Sequence, residues 1–109
     1  MADQVANFEI SDRQGTLEVY TGAVGIAWTA VPPSATQFLQ EILVVNPDTN
    51  DFDEELSVSF DGGTTTAATF YPNGSFAHEI KGSLKQIWIK GSTASVNYSI
   101  TIEKELESA

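Results

Sequence analysis

The chain has 109 residues, no cysteine and a formal net charge of −10, which suits one domain with one core and excludes a disulfide framework or a thiolate metal site. Leu, Ile, Val and Phe supply 28 of the residues, enough apolar mass for an acidic chain to fold. Residues 1–61 hold eleven acids against Arg13, whereas residues 62–109 balance four acids with four lysines. Such a surface repels phosphate backbones and anionic lipid, so it disfavours nucleic acid and membrane as partners. It either favours a basic protein surface or serves only to keep the chain soluble.

The opening stretch "MADQVANFEISD" has neither a basic region nor an apolar run, so no signal peptide is expected and the protein is expected to be made and folded in the cytosol. No stretch is long enough to cross a bilayer as a helix. Within it, "QVANFEI" is an apolar, strand-like segment ahead of the polar break "SDRQGT". It predicts a strand near residues 4–10 and an N-terminal arm over residues 1–10 that pairs with a neighbouring subunit. Val5, Phe8 and Ile10 are its contact residues.

Further strands are predicted near residues 16–20, 23–29, 37–46, 56–60, 66–71, 75–80, 85–90 and 95–103. The clearest is "SVNYSITIE", where Val96, Tyr98, Ile100 and Ile102 alternate with polar residues. "LSVSF" repeats the pattern with Leu56, Val58 and Phe60 inward, and "LKQIWIKG" puts Ile87 and Ile89 on one face. "AVGIAW" groups Val24, Ile26 and Trp28, which predicts a core Trp28. The unbroken run Ile42 to Val45, ended by Pro47, reads as a central strand covered on both faces. No long window shows a 3.6-residue period, and Thr, Val and Ile total 27 residues, favouring the pleated state. "TIEKELESA" ends the chain as a helical turn or a flexible tail over 104–109. The sum is an all-β fold: a single antiparallel, jelly-roll-like β-sandwich of about eight or nine short strands over residues 1–109.

The glycines of "SFDGGTTT" raise the possibility of a phosphate cradle. A P-loop needs GxxxxGK[ST] and a following helix, but here threonines and another strand follow and the next lysine is Lys81. Asp61-Gly62 is read instead as a tight type I′ hairpin turn, and "YPNGS" as a second turn with Pro72 fixing φ ahead of Asn73-Gly74. "IKGS" at 80–83 and "IKGST" at 89–93 add two more glycine turns.

Other chemistry is sparse. His78 is the single histidine and shares a strand face with Phe76 and Ile80, a structural or surface position with no partner set for zinc. No GxSxG elbow accompanies the many serines, so no enzymatic activity, no catalytic residue and no cofactor are expected. The loop "NPDTNDFDEEL" offers Asp48, Asn50, Asp51, Asp53, Glu54 and Glu55 as oxygen ligands, yet it has no EF-hand register and reads as a solvated acidic loop, with an irregular calcium site as the alternative. Trp88 stands with Gln86 and Lys90 opposite Ile87 and Ile89, which makes it available to a partner or a sugar ring.

The run "LSVSFDGGTTTAATFYPNGSFAHEI" followed by "LKQIWIKGSTASVNYSITIE" resembles a pattern in small virion proteins of tailed bacteriophages. It covers about the last half of the chain. The resemblance implies a β-sandwich structural subunit of the virion: a capsid decoration or accessory head protein, or a head-fibre, neck or tail component. Its partners would be other virion proteins, and exposed edges and arms imply docking by β-augmentation and either a homo-oligomer, a trimer being the expected form, or a monomer that becomes ordered only on the virion. The alternative class is a carbohydrate-binding sandwich using Trp88 with Tyr71 or Tyr98; Tyr98 counts against it because it falls on the apolar face.

Overall fold

A computed structural model describes residues 16–33, 37–80 and 83–104. These residues form eight strands and no helix: β1 (Thr16–Val24), β2 (Thr29–Val31), β3 (Leu39–Val45), β4 (Leu56–Ser59), β5 (Ala68–Phe70), β6 (Ser75–Glu79), β7 (Ile87–Gly91) and β8 (Val96–Lys104). Two antiparallel four-stranded sheets result, with orders β1-β8-β3-β6 and β2-β7-β4-β5. Strand 1 pairs with 8, 2 with 7, 3 with 6 and 4 with 5, as in one long hairpin rolled upon itself. That is the jelly-roll form of the β-sandwich. The expected strand over 4–10, and with it Val5, Phe8 and Ile10, lies outside the described residues.

The rolled arrangement is held by one dry layer. Ile42, Val44, Val96, Ile100 and Ile102 of the first sheet, together with Val31, Leu56, Val58, Ile87 and Ile89 of the second, are all buried. β-Branched side chains dominate this layer because their stiff χ1 suits a pleated surface. Each buried aliphatic side chain contributes about 1.5–3 kcal/mol of transfer free energy.

Three sequence expectations change. First, 16–20 and 23–29 are not separate strands: β1 runs unbroken through Gly22 to Val24 and the chain then turns at 25–28 into the other sheet. Gly22 stays in the ladder because it faces Tyr98, whose hydroxyl would lie 3.1 Å from any Cβ there. The turn also breaks the alternation carrying Val24, Ile26 and Trp28. Only Val24 enters the core; Ile26 is exposed, and Trp28 is half-buried beneath the Lys90 ammonium, 4.9 Å from its ring centroid. Second, β3 is central in its sheet but covered on one face alone, since Leu43 is exposed. Third, the connection from β4 to β5 is a wide hairpin rather than a two-residue turn. Positive φ falls on Gly62 (76°) and Gly63 (102°), and Ser59 and Asp61 side chains fill the bend by accepting from the Gly63 and Thr65 amides at 2.9 and 2.8 Å.

The "YPNGS" turn forms as read. Pro72 and Asn73 occupy its central positions, Asn73 takes φ 71°, and Gly74 N–H donates to Tyr71 O at 2.8 Å, a type II turn. It carries the chain from β5 in one sheet to β6 in the other instead of closing a hairpin.

Asn46, fully buried at the end of β3, fastens this crossover. Its amide N–H donates to Gly74 O and its carbonyl accepts from Asn73 N, while Nδ2 donates to Glu54 O and Phe70 O at 2.9 and 3.0 Å. Its Oδ1 accepts from Asn50 Nδ2, and Asn50 in turn exchanges two hydrogen bonds with the Asn97 backbone on β8. Two side-chain amides thus satisfy backbone groups that no strand pairs.

Substitution at the two positive-φ glycines separates backbone strain from packing. A Cβ on Gly63 would meet the Trp28 ring at 2.3 Å, whereas Gly62 faces open space. Gly62→Val is expected to cost about 1–2 kcal/mol and Gly63→Val about 3 kcal/mol or more in denaturant unfolding. Equal costs would contradict the Trp28 contact.

Candidate docking face

The first sheet turns one face to the core and the other to solvent, and register decides what each shows. Glu18, Tyr20 and Gly22 of β1 pair with Ile102, Ile100 and Tyr98 of β8, so Glu18 and Tyr20 point inward while Thr21 shares the outward phase with Leu17 and Val19. Leu17 and Val19 are therefore turned out and are 67% and 62% exposed. In the next strands the outward set continues with Thr101 opposite Val19, Leu43 opposite Thr101 and Ala77 opposite Leu43. This band, apolar except for Thr101, crosses all four strands. One step along the strands lies a second row, in which Leu17, Glu103, Glu41 and Glu79 are cross-strand neighbours. Between the two rows lies a shallow groove of about 350 Å³.

The inward glutamate is accommodated by an ion pair. Lys104 Nζ lies 3.0 Å from Glu18 Oε1, and the Tyr20 hydroxyl donates to the same carboxylate. The tyrosine bond first, and Lys104 second, hold the Glu18 carboxyl below its usual range, and the same bond pushes the Tyr20 phenol up to about 12. An inward charge on an edge strand also disfavours indiscriminate edge-to-edge pairing.

The sequence-predicted contact residue Trp88 is elsewhere. It is half-buried on the outer face of the second sheet, in register with Ala30 of β2 and Ser59 of β4. Tyr98 packs inward over Gly22, and Tyr71 is exposed, with its phenol raised by a hydrogen bond to Glu55. His78 is exposed and stacked on Phe76 at 5.7 Å, with Phe60 at 5.1 Å. In the acidic loop, Asn50 is buried and spends its carbonyl on Asn97 N–H, while Glu54 accepts from Asp51 N–H. Among the described residues no three His, Asp or Glu side chains converge as metal ligands. Leu17, Val19 and Leu43 were missed as surface residues because alternation marks two faces of a strand but not which one is inside.

No protein-family model matches the chain, and a search of curated proteins finds no match. Among solved structures, the Yersinia pseudotuberculosis-derived mitogen is similar, with a TM-score of 0.52 and 16% identity over 87% of this chain and 91% of that one. A structure of the disulfide-linked pili formed by Bacillus endospore appendages gives a TM-score of 0.47 and 17% identity, over 93% of this chain and 99% of that one. The mitogen shares the β-sandwich fold; at this identity the likeness is one of fold alone.

Two outcomes follow from these contacts. Glu18 has a lowered pKa, so its contribution to stability is present above the ordinary carboxylate value of 4.5 and is lost as pH falls below it. Tyr20 has a raised pKa, so its contribution is full below 10 and is lost as pH climbs toward about 12. Thermal melts across pH should show both losses in the parent and neither in Glu18→Gln at the same amplitude. Glu18→Ala should lower Tm more than Lys104→Met, because the first strands a buried ammonium and the second replaces it with apolar packing. For the acidic loop, a chelator should move Tm by less than about two degrees. Asn46→Ala should cost about 2–4 kcal/mol and speed hydrogen exchange across 46–55. A large chelator effect would restore the calcium reading.

Proposed function

We propose that this chain is a non-enzymatic structural protein of a tailed-phage virion, a capsid decoration or accessory head protein that docks on other virion subunits. The observation that supports it best is the apolar band on the solvent face of the first sheet, where Leu17, Val19 and Leu43 stand exposed side by side, whereas the exposed Ile26, Phe52 and Tyr71 lie outside its strands. Contiguous apolar area of this kind marks interaction sites in folded proteins. The sequence resemblance over residues 56–103 points to the same class. A neck or tail component is the second reading within that class. Assembly as a homo-oligomer, a trimer in this reading, would use residues 1–10 and Trp88. The carbohydrate-binding alternative has less support, because Tyr98 is turned inward and Trp88 is half-buried.

Quantitative mass spectrometry of purified virions tests the proposal. Hundreds of copies per particle are expected for a capsid protein, and a dozen or fewer would place it at neck, tail or vertex. Absence from purified particles would reject a virion role.

A further inference from the structure

We propose that Asn73 is a self-modifying site, at which the backbone nitrogen of Gly74 closes on the Asn73 side chain to yield aspartate and isoaspartate, and that the folded crossover holds this reaction back. The proposal is independent of the virion reading. Of the chain's asparagines only Asn73 is followed by glycine, whose missing Cβ leaves the attacking nitrogen unhindered. Asn46 precedes Pro47, which has no N–H to give up. Asn50 and Asn97 precede the bulkier Asp51 and Tyr98. Asn50 Nδ2 is also committed to Asn46 Oδ1 and Asn97 O, and Asn97 Nδ2 to Thr49 Oγ1. Asn73, at the tip of its turn, is exposed.

The chemistry needs only water. The Gly74 nitrogen gives its proton to hydroxide and bonds to Asn73 Cγ, while the Cγ–Nδ2 bond breaks and ammonia leaves with a proton from water. A second water then opens the cyclic imide. Cleavage at Cγ leaves aspartate on the ordinary main chain. Cleavage at the main-chain carbonyl leaves isoaspartate, whose backbone runs through the side chain and is longer by a methylene.

The hydrogen bonds of the fold stand against that path. Gly74 N–H donates to Tyr71 O at 2.8 Å, Asn73 N–H to Asn46 O at 2.7 Å, and Asn46 N–H to Gly74 O at 3.0 Å. In the imide the Gly74 nitrogen carries no hydrogen, so the bond that closes the turn is lost before the ring is complete. Reaction is therefore confined to molecules whose turn has opened. The other two bonds clamp Asn73 and Gly74 to one residue, and the added methylene of isoaspartate moves the clamped groups apart. Conversion thus unfastens the crossover at Asn46.

Full-length protein is incubated in mildly alkaline buffer, either folded or held unfolded in guanidinium. Peptide mass spectrometry reads conversion at each asparagine, and chromatography separates isoaspartate from aspartate. Conversion is expected at Asn73, at least about tenfold faster unfolded than folded, the ratio set by an opening free energy of about 1.4 kcal/mol. Asn46→Ala, which loses the side-chain bonds to Glu54 O and Phe70 O, should speed conversion in the folded protein. Asn73→Gly, which keeps the positive φ without steric cost, should abolish it. Protein carrying isoaspartate should melt below Asn73→Asp, which bears the same charge on an ordinary main chain. Preferential conversion at Asn50 or Asn97 would overturn the site, as would no conversion of the unfolded chain. Equal rates in folded and unfolded parent would overturn the restraint by the fold, and this comparison needs no variant to fold. Identical melts of the isoaspartate form and Asn73→Asp would overturn the link to the crossover.

Discussion

The constraint on which this structure depends is that each of two sheets can hide only one face. Ile100 and Ile102 of β8 and Val44 of β3 pack toward Val58, Ile87 and Ile89 of the opposing sheet, and all six are fully buried. Because side chains alternate strictly along a strand, fixing these residues inward fixes their neighbours outward. The nine-pair ladder between β1 and β8 then transmits that choice to the edge strand. Leu17 and Val19 are exposed not because they lack affinity for a core but because Glu18 and Tyr20 occupy the inward phase opposite Ile102 and Ile100. The apolar band and the ion pair with Lys104 are two results of one register.

A jelly roll passes its chain from sheet to sheet, and every passage leaves backbone groups without a strand partner. At the crossover between β5 and β6 those groups are met by Asn46, which Asn50 in turn ties to β8. Asn46 bonds to Gly74, Asn73, Glu54 and Phe70, and Asn50 bonds to Asn97. This gives the acidic segment 47–55 a structural explanation. Its asparagine oxygen is committed to the backbone, and its carboxylates are spread over a loop whose path the amides set. The same residues that looked like oxygen ligands in sequence are divided between a buried hub and solvent.

Charge and shape act together on the first sheet. Three glutamates stand in one cross-strand row beside a largely apolar row on the solvent face of that sheet. The second sheet presents a different outer face, where Trp88 is aligned with Ala30 and Ser59 and the Lys90 ammonium caps Trp28. A domain with two unlike faces has the means to contact unlike neighbours.

By itself the sequence determined the class of fold, through the period-2 alternation of residues such as Val96, Tyr98, Ile100 and Ile102, and it determined where the chain bends, through Gly62, Gly63 and the Pro72-Asn73-Gly74 turn. These are local properties, set by sterics within a few residues, and so they are legible without partners. Which strands pair, and which face of each is inside, came only with the tertiary structure. The run Ile42 to Val45 is apolar in both phases and β1 is apolar in the outward one, so hydrophobicity alone could not orient either; the ladder to β8 did. The exposed apolar row was invisible for the same reason. Leu17, Val19, Leu43 and Ala77 are scattered over sixty residues of chain, and the glutamates over a similar span. Only the rolled order of the strands lays them side by side.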